Sequence, residues 1–210
     1  MSRRPEPRWN VNIHYHSYVF DALPEGARTA LDVGTGDGML ATELREEGLE
    51  VTGLDSDEDV LSRARERDPD VNWVLGDLLT TDLEAGSFDL VASIAMLHHV
   101  EDPVPALRKM AELIAPGGSL VIVGMARTRS PYDLMMDMRG TFEFHQLEKA
   151  HGLWEHTAPK AWPPELSYQR ARAAIEETLP GATWERLPMF RYVATWSKPA
   201  DDASEAGPDS

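Results

Sequence analysis

Short apolar segments alternate with longer amphipathic segments over residues 29–124 of the chain. The short segments have the length of buried strands, and the apolar residues of the longer ones recur at helical spacing. This alternation predicts right-handed β-α-β units around a parallel sheet. The predicted strands are about Thr29–Val33, Glu50–Leu54, Val71–Leu75, Phe88–Ile94 and Ser119–Gly124, and the predicted helices are about Gly38–Glu47, Asp57–Arg67 and Val104–Ile114.

The C-terminal part of the chain predicts one more helix and a closing hairpin. The helix, at about Tyr168–Leu179, stops before a Pro-Gly pair. Strands at Thr183–Leu187 and Phe190–Ser197 are separated only by Pro188-Met189, which indicates an antiparallel pair. Residues 1–8 and the acidic tail 199–210 are rich in Pro, Gly and charge, so we expect both to be disordered. Residues 9–198 then form a single domain.

Residues 128–165 interrupt the alternation with little clean periodicity. A segment this long without regular structure is more often functional than not in a compact domain, so it predicts a lid over a pocket for a flat or apolar acceptor. The alternative is an insertion that simply packs on the sheet. The histidines here match no metal-ligand spacing, so no metal is expected. The predicted wall of the pocket is Tyr132, Phe142, Phe144, Trp154 and Trp162.

Composition narrows the possible partners. The chain has 20 basic and 36 acidic residues, a net charge of −16, which disfavours a nucleic-acid partner. It has no cysteine, which fits a reducing cytoplasm. No apolar run reaches the ~18 to 20 residues that a membrane span needs. We therefore expect a cytoplasmic protein with a small-molecule substrate, as a monomer or homodimer.

A glycine-rich turn follows the first predicted strand. Three glycines two residues apart lead into a helix, which is the arrangement that brings backbone N–H groups close to a nucleotide-like ligand. A dinucleotide fingerprint would need a glycine at Met39. Asp32 and Asp37 would repel a pyrophosphate but attract a cation, so S-adenosylmethionine fits this turn better than NAD.

Acidic residues also end the next two predicted strands. Asp55 lies 21 residues beyond Gly34, where an acceptor can bind both hydroxyls of a ribose, although it can also belong to a helix cap with Ser56. Asp77 follows the third strand, at a place that is otherwise an ordinary turn. Because parallel strands end at one edge of a sheet, Asp32, Asp55 and Asp77 should converge there.

These segments together resemble the motifs of class I S-adenosylmethionine-dependent methyltransferases, closest to the small-molecule group that includes quinone C-methyltransferases. The resemblance covers about residues 29–124. It implies a doubly wound, Rossmann-like α/β fold with a seven-stranded, mostly parallel sheet and an antiparallel last strand. The segments are Leu31-Asp32-Val33-Gly34-Thr35-Gly36-Asp37-Gly38, Gly53-Leu54-Asp55, Gly76-Asp77, Phe88-Asp89-Leu90-Val91-Ala92-Ser93 and Leu113-Ile114-Ala115-Pro116-Gly117-Gly118.

The resemblance also implies which residues hold the cofactor, S-adenosyl-L-methionine. The glycine loop would lie under the methionine moiety, the second acidic residue with its neighbour would hold the ribose, and the third would face adenine. The fourth strand would end beside the methionine. The implied residues are Asp32, Gly34, Thr35 and Gly36 of the loop, Asp55 and Ser56 at the ribose, Asp77 and Leu78 at adenine, and Ser93 and Ile94 at the methionine end.

The remaining candidates come from clustered polar aromatic residues. An N-terminal cap helix over residues 9–23 would bring Tyr15 over the methionine moiety and turn His16 toward substrate, or else these rings only pack on the sheet. His99 is a candidate general base, since histidine titrates near neutral pH, although it can equally be structural. His145 of the predicted lid is a third catalytic candidate.

The leading hypothesis is therefore an enzyme that transfers a methyl group from S-adenosylmethionine to O, N or C of a small, aromatic or apolar acceptor. Catalysis would rest mainly on alignment of the reacting atoms in a dry pocket. Two alternatives remain open. One is an NAD(P)-linked oxidoreductase on a doubly wound sheet, and the other is a cofactor-binding protein without transferase activity.

Overall fold

A computed structural model describes residues 9–154 and 164–200 of the 210-residue chain. The predicted disorder of residues 1–8 and of the tail beyond residue 200 lies outside the described residues. The predicted pocket residue Trp162 lies outside them as well.

A seven-stranded sheet forms the centre of the molecule, in the order β3-β2-β1-β4-β5-β7-β6. Strands β1 to β5 are parallel, whereas β7 is antiparallel to both of its neighbours. The predicted fold class, a mostly parallel doubly wound sheet with an antiparallel last strand, is confirmed. The strands are β1 (Thr29–Val33), β2 (Glu50–Asp55), β3 (Asn72–Leu75), β4 (Phe88–Ile94), β5 (Ile114–Met125), β6 (Thr183–Leu187) and β7 (Arg191–Ser197).

The carboxyl ends of the parallel strands meet at one edge of the sheet. Val33 pairs with Leu54, and Asp55 pairs with Leu75, so the loops after β1, β2 and β3 lie side by side. Because β7 runs in the opposite direction, it begins at this same edge. Its first residue, Arg191, pairs with Met125 at the end of β5. The edge therefore gathers loops from the first half of the chain and a hairpin from the last.

Helices cover both faces of the sheet. Most of them begin with a side-chain cap: Asp57 accepts hydrogen bonds from the N–H groups of Asp59 and Val60, and Asp102 accepts one from Val104. Buried apolar residues form a separate cluster on each face. Within the described residues, the helices are α1 (Val11–His14), α2 (Ser17–Asp21), α3 (Met39–Glu46), α4 (Glu58–Arg67), α5 (Pro103–Leu113), α6 (Pro131–His151) and α7 (Tyr168–Thr178), with a 3₁₀ turn at Leu97–His99.

Strand β5 begins at Ile114 and not at the predicted Ser119, and two further segments differ from the sequence prediction. The segment predicted to lack regular structure contains α6, which has 21 residues and begins with a capping box between Ser130 and Asp133. Its apolar residues are not confined to one stripe, and Tyr132 and Phe142 are exposed, which explains why no helical periodicity was visible. The predicted cap helix over residues 9–23 is two short helices, α1 and α2, because the chain turns at Tyr15 and His16.

Candidate functional site

A cavity of about 1150 Å³ lies at the carboxyl edge of the sheet. The loops after β1, β2, β3 and β4 form one side of it, and the N-terminal helices, α6 and the start of β7 form the other. This is the place where open parallel sheets bind their ligands. Of the residues predicted from the sequence, the cavity is lined by His16, Asp32, Gly34, Thr35, Gly36, Asp55, Ser56, Asp77, Leu78, Ile94 and His99.

The glycine loop after β1 has backbone φ angles that residues with a side chain rarely adopt. Gly34, Gly36 and Gly38 all have positive φ, at 72°, 55° and 74°. A Cβ atom on Gly34 would come within 2.7 Å of the Met96 side chain, which packs against this glycine. The N–H groups of Gly34 and Thr35 both donate to the Leu54 carbonyl, at 2.8 Å and 3.0 Å. The loop is therefore anchored to the end of β2 and has no room for a side chain at Gly34.

Asp55 holds this loop from the end of β2. Its carboxylate accepts the N–H of Gly36 at 2.8 Å on Oδ2 and the N–H of Asp57 at 3.0 Å on Oδ1. A carboxylate oxygen has more than one lone pair, so both atoms can still accept a hydroxyl from the cavity. Asp55 thus has the position and the remaining acceptor capacity that a ribose site requires.

Asp32 is buried below the loop. Its Oδ2 accepts the hydroxyl of Thr35 at 2.6 Å. Burial raises the pKa of the Asp32 carboxyl to about 6, although the Thr35 hydrogen bond and the nearby His16 both act to lower it. The group is therefore poised between its neutral and ionised forms near neutral pH, and a cation in the cavity would favour the ionised form.

The other acid of the loop, Asp37, does not contribute a free charge as the sequence suggested. Its Oδ1 accepts a hydrogen bond from Nε of Arg63 at 2.9 Å, and Nε of Arg67 donates to its backbone carbonyl. Asp77 differs, since it is exposed at the mouth of the cavity and its Oδ1 accepts the N–H of Leu79 at 2.8 Å. Its neighbour Leu78 is buried and offers an apolar surface beside it.

The N-terminal candidates separate into two environments. His16 is buried and lines the cavity, with its Nδ1 held 2.7 Å from Oε2 of Glu43 on α3. Because Nδ1 is engaged, Nε2 is the ring nitrogen left to act on an occupant. Tyr15 lies outside the cavity lining, and its hydroxyl donates to the Pro188 carbonyl at 2.8 Å. It therefore supports the hairpin between β6 and β7.

The fourth strand ends in a strained turn. Ala95 has a φ of 56°, uncommon for a residue with a side chain, and it leads into the 3₁₀ turn that carries His98 and His99. Burial lowers the pKa of His98 to about 3 and also lowers that of the exposed His99, so both rings are neutral at neutral pH. Ser93 is buried beneath the cavity lining.

The predicted lid contributes only part of the wall. Phe144, Leu153 and Trp154 line the cavity. Tyr132 and Phe142 are exposed on α6 and do not reach it. His145 is also exposed outside the lining, and its Nδ1 lies 2.7 Å from the Thr141 carbonyl of the same helix. The helix, absent from the sequence prediction, turns these three side chains away from the site.

Sequence reasoning missed the residues opposite the glycine loop. Asn10, Asn12 and Arg191 line this end of the cavity, and Nη2 of Arg191 donates to Oδ1 of Asn12 at 2.8 Å. One signal was visible, because Arg191 is the one charged residue of the predicted strand Phe190–Ser197. Nothing in the sequence indicates that this strand begins beside the N-terminal segment.

The arrangement fits S-adenosylmethionine. Among the described residues, neither Asp32 nor Asp55 has a Lys or Arg within ion-pair distance, so a cationic ligand would meet uncompensated acids. Gly34 and Gly36 line the cavity without a side chain, so a ligand can approach their backbone, whereas Gly38 leaves room for the ring of Trp73. The described residues hold no cluster of three or more acidic or histidine side chains suited to a metal ion.

The fold, the glycine loop and the acidic edge define a methyltransferase of the Rossmann-like type, and comparison with known proteins agrees. Residues 31–122 match the methyltransferase domain family. An uncharacterized methyltransferase of Mycobacterium bovis is 37% identical over 193 residues, which is 91% of this chain and 98% of that protein. The chain belongs to the class I S-adenosylmethionine-dependent methyltransferases, and S-adenosylmethionine is its cofactor.

Two more distant proteins are also similar, one in sequence and one in structure. A ubiquinone biosynthesis O-methyltransferase of Marinobacter nauticus is 28% identical over 191 residues, which is 87% of this chain and 78% of that protein. A Haloferax volcanii methyltransferase, solved in complex with its activator Trm112, is 17% identical, with a TM-score of 0.65 and 90% of each chain covered. In the described part of this chain, no helix is both long and apolar enough to cross a membrane.

Proposed function

We propose that the protein transfers the methyl group of S-adenosylmethionine to O, N or C of a small, aromatic or apolar acceptor. The observation that carries this is one continuous cavity with two kinds of wall. An acidic, glycine-lined end adjoins an end built from Phe144, Trp154 and Met125. The first end suits a cationic donor, and the second suits an apolar body.

The proposed cofactor residues are the predicted ones that line the cavity or lie directly beneath its lining. Asp55 would accept the ribose hydroxyls, with Ser56 beside it. Gly34, Thr35 and Gly36 would lie under the methionine moiety, above the buried Asp32. The other residues of the proposed cofactor site are Asp77 and Leu78 at the adenine, and Ile94 and the underlying Ser93 at the methionine end. Tyr15 lies outside the cavity lining and would act only by supporting the hairpin.

When bound, S-adenosylmethionine supplies an electrophilic methyl group on a positively charged sulfur. The protein would then hold the acceptor atom in line with that methyl group and keep water out of the cavity. Where the acceptor atom carries a proton, His16 is the best-placed base, because Glu43 fixes its Nδ1 and stabilises the ring once it is protonated. His99 is a second candidate, and His145 is too far from the cavity lining to serve without movement of α6.

The acidic character of the chain supports a small-molecule substrate over a nucleic acid, since phosphate backbones are repelled by a surface of this sign. We infer a monomer or homodimer in the cytoplasm. One similar protein is an O-methyltransferase of ubiquinone biosynthesis, which supports a small-molecule acceptor. The NAD(P)-linked alternative is disfavoured by Met39, which stands where the fingerprint needs its third glycine.

Two measurements test the proposal. Isothermal calorimetry should detect binding of S-adenosylhomocysteine at neutral pH and no binding of NAD. Incubation with methyl-labelled S-adenosylmethionine and an extract of small molecules should then give labelled product. Tight binding without any labelled product would favour the alternative of a cofactor-binding protein that lacks transferase activity. Binding of NAD alone would contradict the proposal altogether.

A further inference from the structure

Arg191 is a buried cation in the wall of the cavity. It is only 9% exposed, although it stands at the first position of β7 and lines the same cavity as the glycine loop. The two residues before it, Met189 and Phe190, both have left-handed backbones, which turn the hairpin tightly and fix where β7 begins. Gly140 of α6 packs directly on the backbone of Met189. The position of the guanidinium is therefore set by a rigid element.

The protein surrounds this cation with neutral oxygens. Nη2 of Arg191 donates to the Asn12 side-chain carbonyl at 2.8 Å, and Nη1 donates to the Met189 backbone carbonyl at 3.3 Å. Its Nε is buried without a hydrogen-bond partner. Within residues 9–154 and 164–200, no carboxylate lies within ion-pair distance of it. A guanidinium has five N–H donors, so most of them lack a protein acceptor.

Arg186, on the other strand of the same hairpin, is a structural arginine whose partners can be compared with those of Arg191. It is equally buried, at 9% exposure. Its guanidinium pairs with the carboxylate of Asp137, which is also buried, and lies over the ring of Tyr168 at 3.9 Å. The chain therefore supplies a counter-ion to the arginine that only packs. Within the part of the chain that the structure describes, it supplies none to the arginine that lines the cavity.

Burying a charge without a partner costs free energy. The chain has a net charge of −16, so it is rich in acidic residues that could serve as a counter-ion. Burial lowers the pKa of Arg191 to about 10, and the phenols of Tyr15 and Tyr168 act in the opposite direction. The side chain therefore remains a cation at neutral pH. Asn12 stands where an acidic residue could serve as a counter-ion, but its side chain is a neutral amide. The simplest explanation is that a ligand supplies the negatively charged group that pairs with Arg191.

We propose that Arg191 binds a carboxylate group of the acceptor, so that the substrate is a small aromatic or apolar acid. This inference rests on the proposed function. The planar guanidinium matches the two oxygens of a carboxylate, and a single negative charge balances the single uncompensated cation. Phe144 and Trp154 line the same region and would pack on the body of the acid. The cationic donor and the anionic acceptor then occupy opposite ends of one cavity.

The test compares acids with their uncharged isosteres on the full-length protein saturated with S-adenosylhomocysteine. The probes are benzoate against benzamide and 2-naphthoate against 2-naphthamide, measured by calorimetry. We expect each acid to bind more than about tenfold tighter than its amide, a difference of ~1.4 kcal/mol. Equal binding of acid and amide, or no binding of either acid, would overturn the inference.

Three variants test whether Arg191 causes the preference for acids over amides. Arg191→Gln should abolish the preference for the acid, and Arg191→Lys should restore part of it, because the charge remains while the planar fork is lost. Asn12→Asp leaves the arginine in place but supplies a carboxylate at the atom that already accepts Nη2. It should remove the acid preference and raise the melting temperature. A full preference in Arg191→Gln would contradict the assignment.

Arg186→Gln is the matched control, since it removes an equally buried arginine from the same hairpin. It should lower the melting temperature, because Asp137 loses its partner, yet the folded protein should keep its preference for acids. S-adenosylhomocysteine binding distinguishes a failure of the inference about the acceptor from a failure of the proposed function. If the cofactor product binds and acids show no preference, the inference about the acceptor fails alone. If the cofactor product does not bind, the proposed function fails.

Discussion

The two ends of the cavity differ in charge and in the way their charges are compensated. At the glycine-loop end, Asp32 and Asp55 are hydrogen-bonded by the protein's own hydroxyl and N–H groups but have no cationic partner among the described residues. At the opposite end, Arg191 is held by neutral oxygens and has no anionic partner there. Each end is fixed in geometry and left unbalanced in charge.

The contrast with paired charges elsewhere shows that this is not a general property of the fold. Arg186 pairs with Asp137 in the interior, and Arg63 pairs with Asp37 beside the loop. The wall of the cavity contains both cases, because Asp37 lines it and is paired, whereas Asp32, Asp55 and Arg191 line it without an oppositely charged partner within ion-pair distance among the described residues. The charges that lack such a partner leave room for ligand charge. The difference indicates a cationic ligand at one end and supports an anionic one at the other.

The largest effect is expected at the acidic end. Asp55→Ala should weaken S-adenosylhomocysteine binding by more than about tenfold, because the ribose loses its acceptor and Gly36 loses the carboxylate that holds its N–H. Calorimetry measures the affinity, and circular dichroism should show that the fold persists. Glu58→Gln, an exposed change at the start of α4, is the control and should leave the affinity unaltered. Wild-type affinity in Asp55→Ala would remove the ribose assignment.

The second effect is a pH dependence of cofactor binding. The pKa of Asp32 is raised to about 6 in the free protein, so the group is largely protonated at lower pH and largely ionised above. A cationic ligand binds the ionised form better, and S-adenosylmethionine affinity should therefore rise as the pH increases through about 6. The rise should level off above that value. Asp32→Asn should bind more weakly and flatten the profile, and an unchanged profile in that variant would show that another group titrates.

At the opposite end, Arg191→Gln should leave S-adenosylhomocysteine affinity within about twofold of the wild type, since the hydrogen bonds of the guanidinium go to Asn12 and Met189 and not to the glycine loop. The melting temperature should stay equal or rise, because an uncompensated buried charge is removed. Thermal denaturation with and without S-adenosylhomocysteine measures both quantities. A large loss of affinity would mean that the two ends are not independent.

The smallest effect is expected for His99→Ala. Its ring is exposed and neutral at neutral pH, and alignment of the reacting atoms carries most of a methyl transfer. The variant should retain measurable turnover in the labelled-methyl assay. His16→Ala provides the comparison, because that ring is buried and held by Glu43. Complete loss of turnover in His99→Ala with the cofactor still bound would make His99 the base.

The sequence alone predicted the α/β fold class, most strand positions and the residues of the glycine loop. These features depend on short-range requirements: alternation of strands and helices, and glycines where the backbone takes positive φ. It did not reveal α6, since an apolar pattern spread around a helix leaves no periodic signal. That helix removes Tyr132, Phe142 and His145 from the site that the sequence had assigned to them.

Only the tertiary structure shows which residues line the far end of the cavity. Arg191 lies 179 residues from the asparagine that accepts its hydrogen bond, and the two meet because β7 runs against its neighbours and therefore begins at the carboxyl edge. Whether a buried charge has a partner is likewise a property of distances in space. The local pattern of the chain thus predicted the residues of a cofactor site, whereas the packing of the last hairpin on the N-terminal segment determined that Arg191 lines the same cavity.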